Sequence, residues 1–101
     1  CMGAMIGPKV ELGSNVIINT GVIVDHETIV GNDVHIGPGS RISGRVKIGQ
    51  NSFLGVGVTV IDKKTIGRNV VLGAGSVLVD DLPNDVFAYG VPAKISRKVR
   101  K

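Results

Sequence analysis

The chain has 101 residues, the size of one domain, with no Trp, two Phe, one Tyr and one Cys. Hydrophobic residues make up 43% and aromatics only 3%, so any core is aliphatic, and the lone Cys1 excludes disulfide scaffolds and zinc fingers. The net charge of +4 sits at one end: positions 86–101 carry +5 and the rest of the chain carries −1, which excludes a basic, aromatic-interleaved face for nucleic acid.

Apolar runs are short, so no membrane-spanning helix is expected, and no basic region followed by an apolar stretch marks a signal peptide. In chain order, Cys1 to Met5 reads as a tag scar or start region outside the fold. From Ile6 every sixth residue is Ile, Leu or Val through thirteen positions, ending at Leu78 without insertion. The next residue is Gly in eight of the thirteen, and Asn19 and Asp25 among the exceptions also tolerate turns. Two residues before each large aliphatic stands a small or β-branched one, Val10 and Val16 through Ser76, with Lys64 and Leu82 as breaks. A period of six fits neither a helix nor an alternating strand. It fits an all-β solenoid of short parallel strands, each hexapeptide supplying one flat side with its aliphatic inward and its Gly turning the corner. The repeat occupies positions 6–83, thirteen hexapeptides. After Leu82, Pro83-Asn84-Asp85 reads as a turn. Positions 84–101 are expected to form a capping segment and a short basic tail with one helical turn, Phe87 and Tyr89 closing the open end.

Two His stand in the chain, the side-chain type best suited to act as a general base near neutral pH. His26 lies between Asp25 and Glu27, carboxylates able to orient its ring. His35 has no acid beside it, and its reading stays open between structural, ligand-contacting and catalytic roles. The run Gly73-Ala74-Gly75-Ser76 lacks the strand-to-helix context of a dinucleotide loop and reads as repeat architecture.

The period resembles the hexapeptide-repeat β-helix, and that resemblance implies three hexapeptides per coil, hence just over four coils, and a left-handed winding. Gly90-Val91-Pro92-Ala93-Lys94 resembles the closing motif of acyltransferases built on this repeat. The block Ile18-Asn19-Thr20-Gly21-Val22-Ile23-Val24-Asp25-His26-Glu27, with His35-Ile36-Gly37-Pro38-Gly39, is similar to the sialic-acid O-acetyltransferase and nucleotide-amino-sugar N-acetyltransferase family. The resemblance implies an acyl-CoA-dependent acyltransferase using acetyl-CoA and no metal, acting on an amino or hydroxyl group of a sugar or nucleotide-sugar in the bacterial cytoplasm. It implies His26 as general base with Glu27 assisting; the ligand-contacting role left open for His35 would be a contact to the coenzyme of the acyl donor. Gly44 either offers its N–H to the thioester carbonyl, as the family's glycine does, or eases a turn. Gly73 and Ala74 would line the coenzyme arm, with Lys94 and Arg97 of the tail for its phosphates. Asn19 either touches the acceptor or the base, or is a turn residue.

His26 and His35 fall on different sides of one coil and can converge only between copies. A homotrimer is therefore expected. The family's nucleotide-sugar-binding N-terminal domain has no counterpart before Ile6, so the chain is expected to be a fragment or a minimal relative with another acceptor. A non-catalytic trimerising module is the alternative. A zinc-dependent γ-type carbonic anhydrase needs three His ligands where the chain has two, and a serine acetyltransferase interrupts the repeat where this register never slips.

Overall fold

Each hexapeptide leaves room for a short strand and a corner, and this unit repeats through the computed structural model, which describes residues 3–98. Cys1 and Met2 of the expected scar, and Val99, Arg100 and Lys101 of the basic tail, lie outside the described residues. The first face stacks β1 (Met5–Ile6), β4 (Ile23–Val24), β7 (Arg41–Ile42), β10 (Thr59–Val60) and β13 (Val77–Leu78). The second holds β2 (Glu11–Leu12), β5 (Ile29–Val30), β8 (Lys47–Ile48) and β11 (Thr65–Ile66). The third holds β3 (Ile17–Ile18), β6 (His35–Ile36), β9 (Phe53–Leu54) and β12 (Val71–Leu72), continued by β14 (Val86–Gly90) and β15 (Ala93–Lys98). Along the repeat every pairing is parallel and joins equivalent positions of successive coils, as Ile23 with Arg41 and Thr59 with Val77. The result is a left-handed parallel β-helix.

The second residue of each strand points inward, and Val24, Ile36, Ile42, Leu54, Val60, Leu72 and Leu78 are fully buried. The polar residues of the other inward column have a hydrogen-bonding task. Ser40 and Ser52 are buried at the corners, donating to the carbonyls of Gly55 (3.1 Å) and Gly67 (2.9 Å). Each also accepts from the next coil, Ser40 from the Val58 N–H and Ser52 from the Val70 N–H, both at 3.2 Å. Thr28 does the same between Ser43 and Val46. These hydroxyls complete the corner hydrogen bonding that such short strands leave unfinished.

The corner glycines have a different task from the one expected. The left-handed residue is the third of each corner, occupied by Lys9, Asn15, Glu27, Asp33, Arg45, Asn51, Lys63 and Asn69 at φ near +60°. The glycine that follows the aliphatic is not left-handed. It is needed because coils pack backbone to backbone there: a Cβ on Gly49 would lie 2.5 Å from the Arg68 nitrogen and 2.6 Å from the Gly67 carbonyl carbon.

At the C-terminal end the repeat runs past its expected limit. Leu82 bridges to Ile66 and β14 pairs in parallel with β12, completing a fifth coil, before β15 folds back antiparallel through a bulge at Phe87/Ala88. The expected helical turn is thus a strand, since an edge with unpaired N–H and C=O groups is open to it. Strand alternation turns Val86 and Ala88 into the core and Phe87 and Tyr89 outward, so the small residues close the end and the aromatics do not. At the other end the first strand begins at Met5, whose N–H donates to the Val22 carbonyl at 2.9 Å.

Candidate functional site

The corners after the first face differ from the other two sets. The position that is Gly13, Gly31, Gly49 and Gly67 after the second face is Gly7, Asp25, Ser43, Ile61 and Val79 here. His26 follows Asp25 in this corner. Its imidazole lies over Gly44 of the next coil, where a Cβ would sit 2.5 Å from Cε1, 2.9 Å from Nε2 and 3.0 Å from Nδ1.

Asp25 Oδ1 accepts from the His26 backbone N–H at 2.7 Å and contacts Nδ1 at 3.0 Å. The hydrogen bond from the ring, then that from the backbone, holds the Asp25 carboxyl below its ordinary 3.8, with Arg41 adding a smaller pull. Glu27, in the left-handed position, is tied elsewhere: Arg45 Nε of the next coil donates to its Oε1 at 3.1 Å. That same oxygen stands 3.9 Å from His26 Nε2, beyond hydrogen-bond reach. The imidazole is 43% exposed.

A second cluster occupies the third face. Asn19 Nδ2 contacts His35 Nε2 at 3.0 Å and donates to the Ile36 carbonyl at 3.2 Å. With the amide as donor, Nε2 is the acceptor and the His35 proton sits on Nδ1. The His35 ring stacks on Phe53 one coil on, centroids 4.7 Å apart. Asn19 therefore touches His35 and not His26. His26 sits at a corner after the first face and His35 on the third, so the fold keeps the two His of one chain apart. Gly44 sits beneath His26, and Gly73 and Ala74 lie at the corner after the third face.

That corner is unusually bare. Its left-handed positions are Gly21, Gly39, Gly57 and Gly75, and a Cβ on the last three would meet nothing within 4 Å. Since Lys, Asn, Asp, Glu and Arg take a similar φ at the other corners, the backbone does not demand glycine there. Lys94 and Arg97 stand at the end of the third face on β15, Arg97 lying over the Phe87 ring at 5.2 Å. Among the described residues no group of three or more His, Cys, Asp or Glu is placed to hold a metal. Reading the chain residue by residue finds Asp25 as able to orient the His26 ring but not the nitrogen it meets, and misses two partners: Arg45 on Glu27, and Phe53 on His35. Both are legible in principle, because each pair is separated by one full coil of sequence and is therefore stacked.

The bacterial transferase hexapeptide family (six repeats) matches residues 27–62. Over these residues the chain is similar to the bacterial transferase hexapeptide repeat. Its β-helix is similar to perosamine N-acetyltransferase from Caulobacter crescentus, solved in a mutant form with CoA and GDP-perosamine: TM-score 0.83 and 41% identity over 93% of this chain and 53% of that one. It is also similar to the acetyltransferase domain of PglB from Neisseria gonorrhoeae, with TM-score 0.86 and 32% identity over 93% of this chain and 55% of that one. Serine acetyltransferase of Neisseria gonorrhoeae matches with TM-score 0.91 and 31% identity, over 98% of this chain and 42% of that one. A search of curated proteins finds no match. The hexapeptide chain spans about half the length of these solved relatives.

Proposed function

We propose that the protein supplies the catalytic β-helix of an acetyl-CoA-dependent acetyltransferase acting on an amino group of a sugar or nucleotide-sugar, with His26 as general base. The observation that carries the reading is the half-exposed His26 imidazole, seated on Gly44 with Asp25 on Nδ1 and Glu27 beside Nε2. Two supports come from likeness: the perosamine enzyme is solved with CoA and GDP-perosamine, and the PglB domain with acetyl coenzyme A.

In the proposed reaction the acceptor nitrogen gives a proton to Nε2 as it bonds to the thioester carbonyl carbon. The carbon–sulfur bond then breaks, and the coenzyme thiolate takes the proton back from the imidazolium. The Gly44 N–H has no backbone hydrogen-bond partner among the described residues and is available to the carbonyl oxygen as negative charge develops. His26 Nε2 and Glu27 Oε1, 3.9 Å apart, suit the two N–H bonds of an amine, whereas a hydroxyl can satisfy only one of them. This favours N-transfer over O-transfer.

The residues present fit a coenzyme. The bare corner of Gly39, Gly57 and Gly75, with Gly73 and Ala74, leaves a smooth edge for an extended arm. Lys94 and Arg97 at its C-terminal end offer charge for phosphates, and Asn19 steadies His35 as a contact for the acyl donor. That edge and His26 lie on different corners, so the reading includes a homotrimer in which one subunit's His26 meets its neighbour's coenzyme edge. The outward column Ile17, His35, Phe53, Val71 and Phe87 on the third face supplies a largely apolar surface for such an assembly.

Calorimetry with acetyl-CoA and a turnover assay with amino-sugar acceptors test this. His26→Ala is expected to lose roughly 10²–10⁴-fold in turnover while acetyl-CoA binding stays near wild type. No coenzyme binding by the wild-type protein overturns the reading in favour of a structural trimerising module. Turnover retained in His26→Ala but lost in His35→Ala reverses the two roles.

A further inference from the structure

We propose that the N-terminal end of the β-helix is a docking surface for the same end of a second copy, joined about a two-fold axis through β2. The inference uses the first coil alone and is independent of the reading of His26.

The two ends of the solenoid are finished differently. At the C-terminal end Val86 and Ala88 fill the core and β15 folds back. At the other end β1, β2 and β3 are each the last strand of their sheet, so three strand edges lie open side by side. The core behind them is open too. Ile6 and Leu12 are each 44% exposed, where their counterparts two coils on, Ile42 and Ile48, are buried. Ala4, Ile6, Leu12, Val16, Ile17 and Ile18 line an apolar hollow of about 420 Å³ there. Water can satisfy the edges but not the hollow, and a cover for the hollow has to bring strand edges of its own. The same end of a second copy brings both, in the same triangular layout.

Helical geometry selects the axis. With three strands per coil, β2 lies about a third and β3 about two-thirds of the ~4.8 Å strand spacing above β1. A two-fold axis through β2 lays β2 on the partner's β2, and β1 and β3 on the partner's β3 and β1. All three gaps are then equal, whereas an axis through β1 or β3 makes them differ by a whole strand spacing. The strands meet antiparallel, and inward and outward positions must match across each pair. Centring the axis on Glu11 achieves this at every edge: Ile6 meets Val16 of the partner subunit, Val10 meets Leu12 of the partner subunit, and outside the core Met5 meets Ile17 of the partner subunit. Met5 and Ile17, 65% and 50% exposed, are the barest large apolar side chains of the first coil, and this register covers both. The charges agree as well. Lys9 and Glu11 are the only charged residues at positions 3–20. The two Glu11 face each other at the axis, and each Lys9, two residues away, reaches across diagonally, so the four charges balance.

The test is made on the full chain in a Phe53→Glu background, chosen to keep the third face from assembling. Sedimentation at micromolar concentration should give two chains per particle. Met5→Glu sets a carboxylate against Ile17 and should raise the dissociation constant at least about tenfold. Lys9→Glu leaves four acids around the axis and should do the same, while the exchange of Lys9→Glu with Glu11→Lys should restore pairing. With Cys1→Ser removing the only native thiol, Glu11→Cys should link two chains by a disulfide on mild oxidation, and Ser14→Cys should not. Met5, Lys9, Glu11 and Ser14 are all exposed, so these substitutions leave the core untouched. A particle of one chain, pairing unchanged by both Met5→Glu and Lys9→Glu, or equal linkage through the two introduced thiols overturns the proposal, and the hollow then belongs to another polypeptide.

Discussion

At the scale of single residues, the site depends on one absent side chain. Gly44 has no left-handed φ that requires glycine; what requires it is the His26 ring standing where its Cβ would be. Gly44→Ala should therefore leave the fold intact while pushing the ring off Asp25, and the loss should approach that of His26→Ala, roughly 10²-fold or more in turnover. An Ala variant with wild-type turnover and an unchanged His26 spectrum would contradict this seating. Asp25 gives a pH test. Its folded carboxyl is depressed below 3.8, so its contact with His26 is fully present above 3.8 and is lost only as pH falls through the lower folded value. Carboxyl-carbon spectra should show Asp25 titrating below 3.8 in the wild type. In His26→Ala the midpoint should rise toward 3.8 without fully reaching it, because the backbone N–H of residue 26 remains. These contacts are only half legible in the chain: His26 and its two acids stand adjacent, but which acid reaches which nitrogen depends on the Glu27 turn and on Arg45, one coil away.

At the scale of the element, two kinds of glycine look alike in the sequence and differ in the structure. Gly49 faces backbone atoms of the next coil at 2.5 and 2.6 Å, whereas Gly57 has a left-handed φ of 67° with open space beyond it. Gly49→Ala has to move one coil against another. Gly57→Ala meets only conformational strain of about 1 kcal/mol. Thermal denaturation should accordingly show a clearly larger fall in Tm for Gly49→Ala; equal losses would mean that coil spacing yields more easily than the geometry implies. The corner hydroxyls follow the same logic, since Ser52 joins the Gly67 carbonyl to the Val70 N–H inside the core. The period of six marks every strand of the repeat, but it does not separate glycines needed for approach from glycines left bare on the surface.

At the scale of the whole molecule, the three faces are not equivalent. The third presents Ile17, His35, Phe53 and Val71 outward in one column, where the second presents Glu11, Ile29, Lys47 and Thr65. Phe53 is 46% exposed at the middle of that column. Phe53→Glu should therefore disperse the proposed trimer in sedimentation and abolish acetyl-CoA binding together with it, because the proposed site is built between two subunits. Trimers that persist in this variant would move the interface to another face. The tail also changes meaning at this scale. As strand β15 it covers the edge of the third face, so charge substitutions at Lys94 and Arg97 probe coenzyme binding more cleanly than truncation, which would uncover Phe87.

The β-helix and its aliphatic core could be read from the chain's uninterrupted period of six, while the coil-to-coil register and the two His on separate sides followed from the three hexapeptides per coil that the family resemblance implies. Even the stacked pairs Glu27–Arg45 and His35–Phe53 were present there, as spacings of one coil. Packing in three dimensions settled the remainder: that Asp25 and not Glu27 meets Nδ1, that Gly44 is a seat for the ring, and that Val86 and Ala88 close the end while β15 returns as a strand. The physical reason is common to all of these. Periodicity sets which backbone lies above which, but side-chain partners across a corner are chosen by small differences in distance, and a terminal strand is chosen by the free edge that the preceding coil leaves open.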